Sequence, residues 1–263
     1  MQGVCRYQKK KGVFKNYFFH HPAVNDNILN TVYGLTKDEK GNIWASSYGL
    51  WKINPANDSV NGFLCNKNNV ASLSDASGVF NVSFDKTNNG LWMHTDSAIN
   101  FFDLATQKLF HHRHNPLQWP VFKLKDKKPF FAVAQDCFWV YDRKSELLYR
   151  FQNKLSVSLP VHVSFPHAIS NFSLDDEDNP LFSFELVNAQ IYKWEKQKTE
   201  ILPQPGSSSA VNFSGIAHRI YKDQHKNKWL CTVEGLYVVK HDVNLLQSFL
   251  LGTDPSGFSN TIY

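Results

Sequence analysis

Apolar and polar residues alternate in short runs along the chain, and none of these runs has the three-to-four spacing of an amphipathic helix. Phe80, Val82 and Phe84 alternate with Asn81 and Ser83, the period of two expected of a half-buried strand. Comparable short runs are Ile43-Trp44-Ala45-Ser46-Ser47, Gly49-Leu50-Trp51-Lys52-Ile53, Ile99-Asn100-Phe101-Phe102, Phe138-Trp139-Val140-Tyr141, Gln190-Ile191-Tyr192-Lys193-Trp194 and Gly235-Leu236-Tyr237-Val238-Val239. Between them lie clusters of Asp, Asn, Gly and Pro, the residues that close turns.

The runs are in phase. Asn30-Thr31-Val32-Tyr33 returns as Asn260-Thr261-Ile262-Tyr263, a separation of five periods of about 46 residues. An aromatic follows an aspartate-led turn at Trp44, Trp92, Phe182 and Trp229, and Phe130-Phe131 fills the remaining place. The turns begin at Asp38, Asp85, Asp126, Asp175 and Asp223. Each period predicts four strands. Strand a ends at the aspartate, b opens on the aromatic, c follows a brief loop, and d is the shortest, as in Lys108-Leu109-Phe110.

Such a unit in tandem predicts a β-propeller. The expected fold is all-β: a β-propeller arc of about five four-stranded antiparallel blades with partial blades at both ends. Residues 1–24 would end a preceding blade. Blades would span 25–70, 71–117, 118–160, 161–206 and 207–256, with 257–263 opening a further one. The landmark aromatic would pack between neighbouring blades, and the open edges would expose unpaired strands.

Composition supports a β core. The 263 residues hold 21 Phe, 10 Tyr and 7 Trp against 2 Met, and aromatic side chains suit pleated surfaces. With 42% hydrophobic and 19% charged residues, disorder is excluded. The net charge is +5. Its densest basic runs, Lys9-Lys10-Lys11 and Lys123 to Lys128, are short solvated loops and form no nucleic-acid-binding stripe. No apolar run reaches membrane-spanning length, and the N-terminal residues lack the apolar core of a signal peptide. Cys5, Cys65, Cys137 and Cys231 are too widely spaced for a metal-binding pair. Neither metal nor cofactor is expected.

The repeat resembles the two-component regulator propeller repeats, which form the periplasmic sensor region of hybrid histidine kinases of Bacteroidetes. The first copy carries the resemblance most fully, with Asn30, Asp38, Gly41, Asn42, Ile43, Trp44, Ser46, Gly49 and Leu50. The second keeps Asp85, Gly90, Leu91, Trp92 and Thr95, and the fifth keeps Asp223, Trp229, Thr232, Gly235 and Leu236. The third and fourth depart from it. Pro129 and Pro180 stand near the glycine position, and phenylalanine replaces tryptophan. The resemblance implies a non-catalytic, ligand-sensing segment of a membrane-anchored periplasmic sensor. It would detect oligosaccharides and signal by phosphorelay through a kinase outside this chain. Implied partners are the rest of the sensor propeller and a second protomer, with no nucleic acid and no direct membrane contact.

Candidate chemistry is sparse. His111-His112-Arg113-His114 has a counterpart in Phe19-His20-His21-Pro22, so these histidines are expected in a solvated loop after strand d rather than around zinc. Asp175-Asp176-Glu177-Asp178 occupies the a–b turn. No nucleophile elbow, P-loop or dinucleotide fingerprint occurs. No catalytic residue is assigned. Polar b–c loop residues are the ligand-binding candidates: Tyr48, Asp96, Asp136 beside Gln135, Glu185 near Asn188, and Glu234. Trp119 on a d–a loop is a candidate for stacking on a sugar. The alternatives are a carbohydrate lyase or hydrolase on a propeller scaffold, and a propeller that binds other proteins.

Overall fold

The computed structural model describes residues 3–8, 10–124, 126, 129–134, 136–152, 160–163, 165, 169–174, 177–184, 191–195, 198–201, 217–223, 225, 227–232, 235–239 and 246–250. The chain divides into two compact units, residues 1–129 with 133–160, and residues 130–132 with 161–263.

The first unit opens with the hairpin β1 (Val4–Gln8) and β2 (Val13–Tyr17). After a one-turn helix, α1 (Asp26–Leu29), comes a sheet of β3 (Gly34–Lys37), β4 (Ile43–Ser46), β5 (Leu50–Asn54) and β6 (Ser59–Phe63). A second sheet holds β7 (Phe80–Asp85), β8 (Gly90–His94), β9 (Ile99–Asp103) and β10 (Leu109–Phe110). In both sheets every strand pairs antiparallel with its sequence neighbour. β11 (Phe130–Val133) precedes the hairpin β12 (Phe138–Asp142) and β13 (Leu147–Phe151), and β14 (Val161–His162) follows it. The second unit repeats the pattern twice. One sheet is β15 (Ile169–Leu174), β16 (Pro180–Phe184), β17 (Ile191–Glu195) and β18 (Lys198–Ile201). The other is β19 (Ala217–Lys222), β20 (Lys228–Thr232), β21 (Gly235–Val239) and β22 (Leu246–Leu250). Within each unit the first strands of successive sheets pack together, β3 with β7 and β15 with β19. This is the blade order of a propeller.

The turns explain why the repeat is visible in sequence. Three described c–d turns are closed by a side-chain acceptor. Asn54 takes the Ala56 amide, Asp103 those of Ala105 and Thr106, and Asp142 those of Lys144 and Ser145. Four residues later the backbone turns left-handed, at Asp58, Gln107 and Glu146. The a–b turns do the same at Gly41, Asn89 and Asp178, where glycine and Asx residues carry least strain.

The aspartate and the aromatic are chemically joined. Trp44 Nε1 donates to Asp38 at 2.8 Å, Trp92 to Asp85 at 2.9 Å and Trp229 to Asp223 at 2.9 Å. Asn42, Asn88 and Asn227 each donate a side-chain N–H to the same carboxylate. The indole is thereby pinned over the turn while its ring packs outward. Trp44 lies 5.4 Å from Phe102 of the next sheet, and Trp92 stacks 4.2 Å from Phe138 of β12. The interblade placement expected of the landmark aromatics holds for both. In the third copy, where phenylalanine offers no N–H, Arg143 Nε meets Asp126 at 2.9 Å instead.

Glycine is required where rings approach the backbone. A Cβ on Gly90 would lie 2.0 Å from Phe101 Cζ and 2.7 Å from the Phe102 carbonyl oxygen. Gly90→Val is expected to cost about 3 kcal/mol through overpacking, read as a lowered urea midpoint with an unchanged slope.

Two expectations are corrected. Among the described residues the third copy has no strand a before Asp126. Pro120–Lys123 form a 3-10 turn there, with Pro120 in its first turn and Val121 and Phe122 buried. Proline lacks the N–H that a ladder needs. The alternation in β7 is also broken: Phe80 pairs with His94 and Val82 with Met93, leaving Asn81 as a bulge at φ 58°. Comparable register shifts open β15 and β19.

Candidate functional site

In an up-and-down sheet the b–c and d–a connections emerge at the same end. In the first unit, the d–a segment 64–79 crosses that end of the second blade and is fastened to it strand by strand. The Leu109 amide of β10 donates to the Ala71 carbonyl at 3.0 Å. Ser74 takes the next strand inward: its amide donates to Asn100 Oδ1 of β9 at 3.1 Å, and Asn100 Nδ2 returns a bond to Ser74 Oγ at 3.0 Å. Asp75 then meets the b–c segment. It accepts from Thr95 Oγ1 at 2.6 Å, the Ser97 amide at 3.0 Å and the Ser97 hydroxyl, and from the amide (2.8 Å) and hydroxyl of Ser77. Ser74, Thr95 and Asn100 are fully buried.

Burial alone would raise the Asp75 carboxyl. The bonds from Ser77, Ser97 and Thr95 outweigh it and hold the group down, to about 2.

Alongside this crossing segment lies a cavity of about 320 Å³, lined among others by Cys65, Lys67, Ser72, Asp75, His111 and Arg113. His111 is 1% exposed. Its Nε2 donates to the Val70 carbonyl at 3.0 Å, and its Nδ1 accepts the Arg113 amide at 3.2 Å. Burial pushes its titration down to about 4, so the ring is neutral at pH 7. Burial also raises the Cys65 thiol, with the Asp75 charge adding to the effect. Lys67 and Arg113 are exposed at the rim.

A second cavity of about 300 Å³ opens at the opposite end, by the Asp38 and Gln107 turns. Its floor is the packed core of Trp44, Phe63 and Phe102, and Lys52 Nζ stands 5.8 Å above the indole. The first cavity is the better candidate, because polar groups already fixed by the protein form its walls.

The sequence candidates are dispersed. Asp96 is exposed on the b–c segment beside this network, its amide bonded to Ser77 Oγ at 3.0 Å. Tyr48 is half-buried against the cluster of Tyr17, Phe19, Trp51 and Ile53. Asp136 is exposed and faces Arg150 at 3.8 Å. Trp119 is 3% exposed and enclosed by Trp92, Phe101, Phe110 and Phe122. Its ring is part of the core, with no face left for a sugar. Gln135, Glu185, Asn188 and Glu234 lie outside the described residues.

The histidine loop is corrected in part. His111–His114 and its counterpart His21–Val24 form the same bridged turn. His112 is solvent-exposed as expected, whereas His111 points inward. Among the described residues no three His, Cys, Asp or Glu side chains converge as a metal site, and no helix is long and apolar enough to cross a membrane.

Sequence reasoning missed the Asp75 network because its partners are about twenty residues apart. The available signal was the hydroxyl-rich run Ser72-Leu73-Ser74-Asp75-Ala76-Ser77, followed by Thr95-Asp96-Ser97 in the next b–c loop.

No protein-family model and no curated protein matches the chain. Solved structures do. The extracellular domain of the hybrid two-component system BT3049 from B. thetaiotaomicron aligns over 95% of this chain and 32% of its own, with TM-score 0.64 and 18% identity. That of BT4673 from the same organism aligns over 88% and 34%, with TM-score 0.53 and 15% identity. A streptogramin B lyase aligns over 85% of this chain and 70% of its own, with TM-score 0.56 and 11% identity. The chain thus spans about a third of the length of the two sensor domains, and its fold is the all-β propeller fold of those extracellular sensor regions.

Proposed function

We propose that the chain is a non-catalytic, ligand-sensing propeller segment of a membrane-anchored two-component regulator, exposed outside the cytoplasm. It binds an oligosaccharide where the b–c and d–a segments meet, and the signal passes to a kinase elsewhere in the protein. Asp96 would border the ligand. Tyr48 and Asp136 are the candidate contacts on the other b–c segments of the first unit.

The observation that carries this reading is the commitment of the cavity's reactive groups. Asp75 has five donors and both ring nitrogens of His111 are engaged. Groups so committed transfer protons poorly. The likeness to two sensor domains supports the same reading. The likeness to a lyase favours the second one, an enzyme on this scaffold.

Isothermal titration with a panel of oligosaccharides, followed by an assay for new reducing or unsaturated ends, separates the two. A saturable isotherm without product is expected. Ala76→Trp, which places an indole in the cavity from an exposed wall position, should abolish the heat and leave the urea midpoint unchanged. Product formation, or heat indifferent to the indole, would contradict the proposal.

A further inference from the structure

The charge of the cavity selects among ligands, an inference that rests on the sensing role proposed above. Of the lining residues, Lys67 and Arg113 are cationic and Asp75 is anionic. The Asp75 carboxylate is turned toward Ser77, Thr95 and Ser97, which occupy its oxygens with five donors. Its hydrogen-bonding capacity is spent on these donors while its charge remains, so two cations against one anion leave the lining net positive. Among the described residues neither Lys67 nor Arg113 takes part in an ion pair, although Lys15, Lys86, Arg143 and Arg150 of this unit do. Both cations border the cavity that Cys65 also lines. His111 adds no charge there at pH 7. Asp96, the nearest exposed acid on the b–c segment, does not line the cavity.

We infer that this cavity takes a sugar bearing an oxyanion, with Arg113 and Lys67 holding the anionic group and the exposed Asn66 and Asn69 facing the ring hydroxyls. A planar guanidinium can grip a carboxylate through two parallel bonds, while an ammonium adds a point charge that tolerates other oxyanions. The shared chemistry is an oxyanion on a polyhydroxylated ring. Its source is either a uronate carboxylate or a sulfate ester.

Three probes of equal length distinguish these cases by titration at low salt: a galacturonic acid trisaccharide, a sulfated neutral trisaccharide and the unsulfated parent. Either anionic sugar is expected to bind about tenfold tighter than the neutral one, the sum of two rim-exposed charge pairs. The preference should shrink in high salt as the pairs are screened. Lys67→Gln with Arg113→Gln should remove the preference and leave the urea midpoint unchanged, because both side chains are exposed. The tighter of the two anionic probes identifies the source. Equal affinity for charged and neutral sugars, or a preference that survives the double substitution, would overturn the inference while leaving the sensing role intact. Absence of heat with all three would count against the sensing role itself. Alkylation of Cys65, followed by peptide mass spectrometry, gives an independent readout. The preferred probe should slow it, and an unchanged rate at saturating probe would also overturn the inference.

Discussion

Trp92→Ala is expected to destabilise the first unit by about 4 kcal/mol, in the range for deleting a buried aromatic. Trp92 is 1% exposed and touches Phe101, Trp119, Phe122 and Phe138. Its loss empties a joint between two blades and also strips a donor from buried Asp85. Trp92→Phe separates these effects. It keeps most of the packing and removes only the N–H, for an expected cost of about 1.5–3 kcal/mol for a bond to a charged acceptor. Urea denaturation of both variants checks the pair. A Trp92→Phe variant as stable as the wild type would mean that the pin contributes nothing beyond ring volume. That total stability is only about 5–15 kcal/mol makes the alanine variant a severe one.

Asp75→Ala is the second large effect, about 3 kcal/mol, because it leaves several donors of Ser77, Thr95 and Ser97 without an acceptor in a largely buried network. Asp75→Asn keeps one acceptor oxygen and should lose roughly half as much. The pH dependence follows from the depressed titration. The carboxyl is held down to about 2 against an ordinary 3.8. Its contribution is therefore complete above about pH 4 and is lost as the pH falls toward 2. A urea midpoint measured from pH 6 downward should fall more steeply in the wild type than in Asp75→Asn. Identical profiles would contradict the assignment.

How much was legible in the sequence follows from where each signal resides. The repeat was visible because its landmarks bond to one another. Asp38 with Trp44, Asp85 with Trp92 and Asp223 with Trp229 are pairs within one turn, so a fixed spacing records them. The turn residues were visible because left-handed backbone favours Gly, Asn and Asp. Three features escaped. Pro120 forbids a ladder strand in the third copy, a local rule that the phase of the repeat concealed. The environment of Trp119 depends on Trp92, Phe101 and Phe110, and its spacing alone could not separate a core ring from an exposed one. The cavity depends on a crossing segment that brings residues 65–76 to residues 111–113, a long-range meeting with no spacing signature. The cavity lies at the end of the blade where the b–c loops emerge, and the d–a segment supplies most of its wall.

The most direct measurement is hydrogen–deuterium exchange with and without a saturating galacturonic acid trisaccharide. Slower exchange in peptides covering residues 64–79 and 95–98, with no change in the opposite turns at 86–90 and 104–108, is the expected result. Protection confined to those opposite turns, or to neither end, would contradict ligand capture at the b–c and d–a end of the blades.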